Sequence, residues 1–346
     1  MKNWTLLKEM IDNGYVNVQK HPTHELFIYN YSPKAQYERV WNEVTLACRG
    51  LIMDAENRIV ARPFTKFFNL GEMENQHIPN ESFEVFEKLD GSLGILYWID
   101  NQAFIATRGS FSGEQAVKAT DILRSKYAHV LDILRGYTHQ NKTYLFEILY
   151  PENRIVVDYG EMEDIVLTAI IDTQTGENLP LMDVGFSMVK QYHGIKDISI
   201  LKRLEEANRE GFVIQYRSGL RYKIKFEEYL RIHRIVTQVS NINIWEYLAA
   251  EMPFDEMLDR VPDEFYDWVK ATSTDLKAQF EAIEAECQAD FKENAEKFEP
   301  RKAAAAYFLT CRYPSVLFKM LDKKPYADVI WKLIRPSFQK PFSKLE

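Results

Sequence analysis

The segment Lys88-Leu89-Asp90-Gly91 decides how this chain is interpreted. It overlaps the end of a predicted strand, Phe83–Lys88, so the lysine is expected at a strand end beside a sharp turn. A lysine amine is a nucleophile only when it is neutral, and burial near other cations favours that form. Such an amine can attack the α-phosphorus of a nucleotide. Taken alone the four-residue pattern is weak, because it recurs by chance at surface turns.

The surrounding sequence predicts a mixed α/β fold with many short strands. Two connections, Asp100–Gln102 and Arg217–Leu220, are too short for a crossover and therefore favour antiparallel pairing. A helix that begins at a capping Ser112 and runs to about Leu134 interrupts the strands. The predicted strands, rich in β-branched and aromatic residues, are Phe83–Lys88, Leu93–Ile99, Phe104–Arg108, Tyr144–Tyr150, Ile165–Asp172, Gly211–Tyr216 and Arg221–Phe226.

Two carboxylates and a pair of lysines on or beside these strands strengthen the interpretation of Lys88 as a nucleophile that reacts with a nucleotide. Glu147 lies within an apolar strand and Glu210 directly precedes another, and a buried carboxylate is costly unless it has a partner or a ligand. Lys223 and Lys225 are two residues apart, hence on the same face of one strand. Two adjacent amines repel each other, but beside a triphosphate they neutralise its charge.

In this order, the motifs resemble those of the covalent nucleotidyltransferase superfamily of polynucleotide ligases and capping enzymes. The upstream segments resemble one branch, the type 1 ATP-dependent RNA ligases of T-even phages. The resemblance covers about residues 25–235 and rests on Tyr29-Asn30-Tyr31, Ala47-Cys48-Arg49-Gly50, Lys66-Phe67-Phe68-Asn69-Leu70, Lys88-Leu89-Asp90-Gly91, Arg108-Gly109-Ser110, Leu145-Phe146-Glu147, Pro151–Val156, Glu210-Gly211-Phe212-Val213 and Lys223-Ile224-Lys225.

The resemblance implies an α+β fold. Residues 1–235 would form an antiparallel-sheet nucleotidyltransferase domain, similar to ATP-grasp ligases, that transfers the adenylyl group. Residues 236–346 would form a smaller all-α domain. In that part the strand pattern fades, and Thr274–Lys297, rich in Ala, Glu, Lys and Gln, predicts a long helix.

The family's site residues carry over to matching positions. Lys88 would become linked to AMP, and Glu147 would bind the ribose hydroxyls or metal-bound water. Glu210, with Asp90, would hold waters of a catalytic Mg²⁺, for which Mn²⁺ can substitute. The remaining nucleotide contacts would be Tyr29 near the adenine, Phe68 in the packing of the site, Arg49 and Lys66 on the β- and γ-phosphates, Arg108, and Lys223 and Lys225 on the α-phosphate.

Of three further positions, two follow the family less closely and one, Tyr229, keeps its spacing. Arg108 stands where the family often has lysine, and arginine stays charged, so it can bind phosphate but cannot act as a neutral amine. Tyr229 has the family's spacing and would support RNA joining. Asp255 is a loosely aligned candidate for a further metal contact.

The composition is that of an ordinary soluble globular protein, and its acidic net charge does not exclude a basic groove for nucleic acid. The net charge of −8 is uneven: residues 250–299 hold 15 acidic and five basic side chains, and residues 300–346 hold three and ten. Phosphate contacts depend on such local fields. The N-terminus shows no secretory signal and no segment is apolar enough to span a bilayer. The cysteines Cys48, Cys287 and Cys311 fit neither a disulfide framework nor a zinc site, so a reducing cytoplasm and no membrane are expected.

The expected function is an ATP-dependent RNA ligase that acts as a monomer and joins 5′-phosphate and 3′-hydroxyl RNA ends in RNA repair. The alternatives are a DNA ligase, a capping guanylyltransferase and, from another class, a catalytically silent module that binds RNA ends. A DNA ligase or a capping enzyme would be expected to carry an all-β domain after Lys225, where this sequence predicts helices. A silent module would be free to lose any of the charged motif residues.

Overall fold

The computed structural model describes residues 3–73, 76–136, 141–201, 203–237, 240–253, 257–258, 261, 266–294 and 301–337. The chain divides into two compact units, Met1–Val236 and Thr237–Glu346. The first is a mixed α+β structure built on antiparallel sheets, as the sequence predicts. The division of the chain into a catalytic and an accessory domain stays a prediction.

The first unit contains short strands with helices between them. Its strands are β1 Val16–Lys20, β2 Leu26–Tyr31, β3 Arg49–Asp54, β4 Ile59–Ala61, β5 Phe68–Asn69, β6 Phe83–Lys88, β7 Ser92–Ile99, β8 Gln102–Ala106, β9 Lys142–Leu149, β10 Asp164–Asp172, β11 Asn178–Leu179, β12 Gln191–Tyr192, β13 Gly211–Tyr216 and β14 Arg221–Lys225. Its helices are α1 Trp4–Asp12, α2 Pro33–Tyr37, α3 Glu43–Ala47, α4 Glu114–Lys126, α5 Ala128–Leu134, α6 Ile198–Leu201 and α7 Glu227–Thr237.

The strands form three sheets. The first has the order β1-β2-β3-β4, the second β11-β10-β9-β7-β8 and the third β12-β6-β13-β14-β5. All pairs are antiparallel except β14 with the two-residue strand β5, which is parallel. That pair departs from the antiparallel pairing predicted from the short connections, and it is possible because a long segment separates the two strands in the chain.

The third sheet shows how alternation builds a site. On β13 and β14, Phe212, Ile214, Tyr222 and Ile224 point into one apolar cluster. The intervening residues point to the opposite face of the sheet, because successive side chains alternate along a strand. That face carries the side chains of the candidate site. The core and the site therefore lie on opposite faces of one sheet.

Both predicted hairpin connections are confirmed. Asp100 and Asn101 adopt positive φ values of 47° and 64° between β7 and β8, and Gly219 adopts 89° between β13 and β14. Asparagine, aspartate and glycine tolerate this left-handed backbone better than other residues do. The predicted strands of this region are present, with ends that shift by two residues or fewer.

The predicted helix from Ser112 to about Leu134 is wrong in two details. It begins at Glu114, with Gly113 at the cap position and no side-chain cap, and the hydroxyl of Ser110 accepts the Gly113 N–H at 2.9 Å in the preceding turn. It also divides into α4 and α5 at Tyr127, whose φ of −117° leaves the helical region.

The described part of the second unit is helical. Its apolar cluster includes Ile283, Phe308, Leu317 and Ile330. The predicted helix Thr274–Lys297 begins earlier, at Tyr266, and its last three predicted residues lie outside the described part of the chain. The helices are α8 Asn241–Ala249, α9 Tyr266–Asn294, α10 Arg301–Phe308, α11 Pro314–Leu321 and α12 Ala327–Leu333. None of the helices described is both long and apolar enough to cross a membrane.

Gly211 provides a test of the third sheet. Its φ is +150°, and a Cβ atom added there would lie 1.9 Å from the carbonyl oxygen of Ile224. We expect Gly211→Ala to lower the free energy of unfolding by more than about 2 kcal/mol, because backbone atoms of β14 would have to move. Denaturant unfolding measures this. Gly109→Ala is the control, since its Cβ would meet nothing closer than Asn30 at 3.8 Å, and equal losses in both variants would contradict the prediction.

Candidate active site

A cavity of about 460 Å³ is lined by residues of the second and third sheets. Its walls come from β9 and β10 on one side and from β6, β13 and β14 on the other. Of the predicted site residues, six line it: Arg49, Lys88, Arg108, Glu147, Lys223 and Lys225. The structure therefore brings together motifs that lie up to 176 positions apart in the sequence.

Lys88 lies at the end of β6 and forms an ion pair across the third sheet. Its Nζ atom is 2.7 Å from Oε2 of Glu210, and the other oxygen of Glu210 is 3.1 Å from Nζ of Lys225. Gly211, which follows Glu210, is paired with both lysines in the strand register. The Glu210 side chain is only 3% exposed, so this carboxylate is a buried bridge between two amines.

Glu147 occupies the opposite wall, on β9. Its Oε1 atom accepts the N–H of Gly91 at 2.9 Å, which ties it to the turn after Lys88. The absence of a side chain at Gly91 permits this contact, because a Cβ there would lie 2.5 Å from the carbonyl oxygen of Ile148. Burial raises the pKa of Glu147 to about 7, against the opposing effect of the Lys88 charge.

Asp90 supports the turn rather than lining the cavity. Its Oδ2 atom accepts the N–H groups of Val156 and Val157, at 2.8 and 2.9 Å. Its Oδ1 atom accepts the hydroxyl of Tyr229 at 2.8 Å. Both carboxylate oxygens of Asp90 thus accept hydrogen bonds from other groups of the protein. The predicted contact of Asp90 with metal-bound water stays a prediction. Tyr229 is joined to the turn that carries Lys88.

One side of the cleft is cationic. Lys223 and Lys225 share the face of β14 that the sequence predicts for them, and Arg221 precedes them on the same face. Arg49 and Arg108 approach from β3 and from the segment after β8. With Lys88 this places six cations around one cavity, an arrangement suited to a polyphosphate.

Arg221 was not among the predicted site residues. Its position two residues before Lys223 is the signal that would have identified it, since period-two alternation places both on one face. Its guanidinium group lies 4.9 Å from the ring centroid of Phe64, as does that of Arg49. Burial, together with the charge of Arg49, lowers the pKa of Arg221 to about 10.

Three upstream residues lie away from this cavity. Tyr29 packs into the apolar cluster beside α1, with Leu7 and Met10. Lys66 is buried, and its Nζ atom lies 5.3 to 5.5 Å from the ring centroids of Tyr31, Trp41 and Phe68. The predicted nucleotide contacts of Tyr29, Lys66 and Phe68 stay predictions.

Arg108 connects this aromatic group to the cleft. It lines the cavity and also donates from Nη1 to the hydroxyl of Tyr31 at 3.0 Å. The guanidinium group of an arginine stays charged and carries several N–H donors, so one bond to Tyr31 is compatible with phosphate binding. The predicted role of Arg108 as a phosphate contact fits this position.

The carboxylates suit a magnesium ion carried by a nucleotide. Among the residues that the structure describes, no three His, Cys, Asp or Glu side chains converge as a metal cage. Magnesium is usually held by one or two carboxylates together with substrate phosphates. Glu147 lines the cavity and can supply one such carboxylate, whereas both oxygens of Glu210 are paired with amines, so the predicted metal contact of Glu210 stays a prediction. Asp255 lies outside the described residues.

The raised pKa of Glu147 predicts a pH dependence of stability. Below its ordinary value of 4.5 the carboxyl is protonated in both the folded and the unfolded state, whereas above about 7 it is charged in both. Between these values the folded state binds more protons, so its contribution to the free energy of unfolding falls as the pH rises.

We therefore expect Glu147→Gln to flatten the decline in the free energy of unfolding between pH 4.5 and pH 7. Urea denaturation across this window measures it. Glu152→Gln, at an exposed carboxylate, is the control and should keep the decline of the unaltered protein. A decline of the same size in Glu147→Gln would contradict the expectation.

Comparison with known proteins places the chain among ligases. The family model described as RNA ligase matches residues 47–230. A putative RNA ligase of Thermovibrio ammonificans is 29% identical over 252 residues, which cover 68% of this chain and 65% of that protein. A putative bifunctional polynucleotide kinase/RNA ligase of Autographa californica nuclear polyhedrosis virus is 26% identical, covering 74% and 40%. The chain thus spans less than two thirds of the length of these two relatives.

An RNA ligase of Rhodothermus phage RM378 is 23% identical, with 80% of this chain and 79% of that protein covered. Among solved structures, an RNA ligase of Naegleria gruberi with ATP and Mn is 20% identical, covers 44% of this chain and 52% of the other, and has a TM-score of 0.37. The family match spans more than half of the chain and includes Lys88, Glu147 and Glu210. The predicted membership is confirmed: this chain belongs to the RNA ligase family.

Proposed function

We propose that this protein is an ATP-dependent RNA ligase that acts on ends with a 5′-phosphate and a 3′-hydroxyl, in RNA repair. One observation carries the proposal: Lys88 Nζ stands at a cavity that five further cations line, between two carboxylates that flank it. Family membership supports the same chemistry. A monomer would suffice, because these groups come from one chain.

The first step would transfer AMP to the protein. Nζ of Lys88 passes a proton to the carboxylate of Glu210 and attacks the α-phosphorus of ATP, so that a nitrogen–phosphorus bond forms and the bond to pyrophosphate breaks. Lys223 and Lys225 neutralise the charge of the α-phosphate. Arg49, Arg108 and the buried Arg221 hold the leaving pyrophosphate.

Glu210 would prepare the nucleophile for this step. Its ion pair with Lys88 holds the amine at a fixed position on the cleft wall. A triphosphate that draws Lys225 towards its α-phosphate would remove one of the two cations from Glu210, which leaves this carboxylate able to accept the proton of Lys88. Magnesium, when bound through the phosphates and the carboxylates, supplies charge stabilisation for the phosphoryl groups.

The two later steps would transfer AMP onward and seal the RNA. A 5′-phosphate oxygen of RNA attacks the lysyl-AMP, which forms a 5′–5′ pyrophosphate link and returns the amine of Lys88. A 3′-hydroxyl then attacks the activated end, and AMP leaves. Tyr229, held against Asp90, would keep the turn after Lys88 in place during these exchanges.

Adduct formation tests the proposal. Incubation with ATP labelled at the α-phosphate should give a labelled protein that is stable in base and labile in acid, as a phosphoramidate is. Lys88→Ala should abolish the label because the nucleophile is removed. Lys20→Ala, at an exposed lysine paired with Glu25, is the matched control and should label fully.

The alternatives are outcomes of the same experiment. Labelling by GTP alone would indicate a capping guanylyltransferase, and no labelling by any nucleotide would indicate a silent module that binds RNA ends. For the substrate, 5′-phosphorylated RNA and DNA of the same sequence should be compared. Preferential sealing of DNA would overturn the assignment to RNA.

Arg221 gives a further prediction. We expect Arg221→Met to raise the KM for ATP in the adduct reaction about tenfold, because one cation of the cleft is lost. Stability should fall by no more than about 3 kcal/mol, because the change leaves the side-chain oxygens of Asn178 and Gln215 without this donor but also removes a buried charge that Arg49 opposes. Arg217→Met, at an exposed arginine, is the control. An unchanged KM in Arg221→Met would contradict the prediction.

A further inference from the structure

Two hydrogen-bonding side chains of the cleft have no role in the proposed chemistry: Thr168 on β10 and Gln215 on β13. Both line the cavity that contains Lys88. Both also line a second cavity, of about 450 Å³, which shares Phe86 and Arg221 with the first. They therefore lie where the two cavities meet.

The position of Thr168 follows from an irregularity in the second sheet. The register of β10 against β9 shifts between Leu167 and Ala169, so Thr168 is the additional residue of a bulge. Its hydroxyl donates to the carbonyl oxygen of Leu145 at 3.1 Å. A hydroxyl has one hydrogen, so Oγ1 of Thr168 can act only as an acceptor towards a ligand.

Gln215 offers a hydrogen-bond donor to the cavity, whereas Thr168 offers an acceptor. Its Oε1 atom accepts from Nη2 of Arg221 at 2.8 Å, and the same nitrogen lies 2.6 Å from Oδ1 of Asn178. Because a guanidinium group can only donate, the amide oxygen must face Arg221. The amide nitrogen of Gln215 is then the group that can donate to a ligand.

The side chains near Thr168 are apolar. Phe86, Val189 and Val213 line the cavity and belong to or pack against one apolar cluster. Val189 is placed beside Thr168 by a 2.9 Å hydrogen bond from its N–H to the carbonyl of Leu167. Lys88 and Lys225, by contrast, pair with Gly211 in the strand register and Lys223 pairs with Val213, which places these three amines beyond Gln215 and its partner Arg221. The cleft thus has a side suited to a flat base and a side suited to phosphates.

We propose that Thr168 and Gln215 identify the base of the nucleotide as adenine. Oγ1 of Thr168 accepts from the exocyclic amine, and the amide nitrogen of Gln215 donates to an adjacent ring nitrogen. An acceptor and a donor side by side match the edge of adenine. Guanine has a carbonyl oxygen in place of the amine, which would face the Thr168 oxygen as a second acceptor. This inference rests on the proposed function.

The test measures adduct formation with ATP and with purine riboside triphosphate, which lacks the exocyclic amine. In the unaltered protein, loss of the amine should lower the efficiency of adduct formation about tenfold, the effect of one hydrogen bond. Thr168→Val keeps the shape but removes the acceptor, so ATP should fall to the level of the analogue. Thr168→Ser keeps the hydroxyl and should retain the preference for ATP.

Several results would overturn the role of Thr168. One is an equal preference for ATP in Thr168→Val and the unaltered protein. Another is the absence of any difference between ATP and the analogue in the unaltered protein. Thermal unfolding of Thr168→Val shows that a changed ratio comes from folded protein, and if that variant does not fold, loss of the preference in Thr168→Ser counts against the proposal.

Gln215 is tested with ATP analogues in which N1 or N7 is replaced by carbon. One of them should react about tenfold less well than ATP in the unaltered protein. Gln215→Met removes the donor and should abolish that difference. If neither analogue is impaired, or if the difference persists in Gln215→Met, the role of Gln215 is wrong.

Failure of the underlying function would look different. A protein without nucleotidyltransferase activity would form no adduct with any nucleotide, whatever its base. If adducts form with all the purine nucleotides at equal efficiency, the proposed function stands and the base-recognition proposal fails.

Discussion

The carboxylate of Glu210, held between the amines of Lys88 and Lys225, is the interaction on which the site depends. It joins β6 to β14 across the backbone of Gly211, so the nucleophile and one phosphate-binding lysine are placed by one group. A buried carboxylate is tolerated there because two cations neutralise it. The arrangement also keeps Lys88 on the cleft wall before any nucleotide enters.

The two faces of the third sheet explain why a small region carries so much chemistry. One face of β13 and β14 carries aromatic and aliphatic side chains and anchors the sheet on its core. The other face is therefore free to carry charge. The bulge at Thr168 has a related effect in the facing sheet, because it adds a polar side chain without interrupting the apolar cluster around Val189.

Sequence periodicity predicted much of this fold. Strict alternation on β14 placed Lys223 and Lys225 on one face, and the turn residues Asp100, Asn101 and Gly219 located both hairpins. The same alternation would have included Arg221, had the pattern been extended by one step. The start of α4 was missed by one residue because Gly113, which has no side chain to form a cap, occupies the cap position that the sequence pattern assigns to Ser112.

Other features depend on tertiary contacts that no local pattern encodes. The contacts of Asp90 with Val156, Val157 and Tyr229 join segments far apart in the chain. The bulge at Thr168 depends on how β10 meets β9. The environment of Lys66, surrounded by aromatic rings, likewise follows from the packing of three separate segments.

The close approach of Gly91 to β9 has a consequence for how such a protein can lose its activity. Any side chain at this position would meet the backbone of Ile148 and would push β9 away from the turn, and Glu147 would move with it. A single methyl group would therefore separate the two walls of the site while every charged residue remained in the sequence. Among relatives of this chain, inactive members would then be distinguished by a substituted glycine even where the lysine and both glutamates are retained.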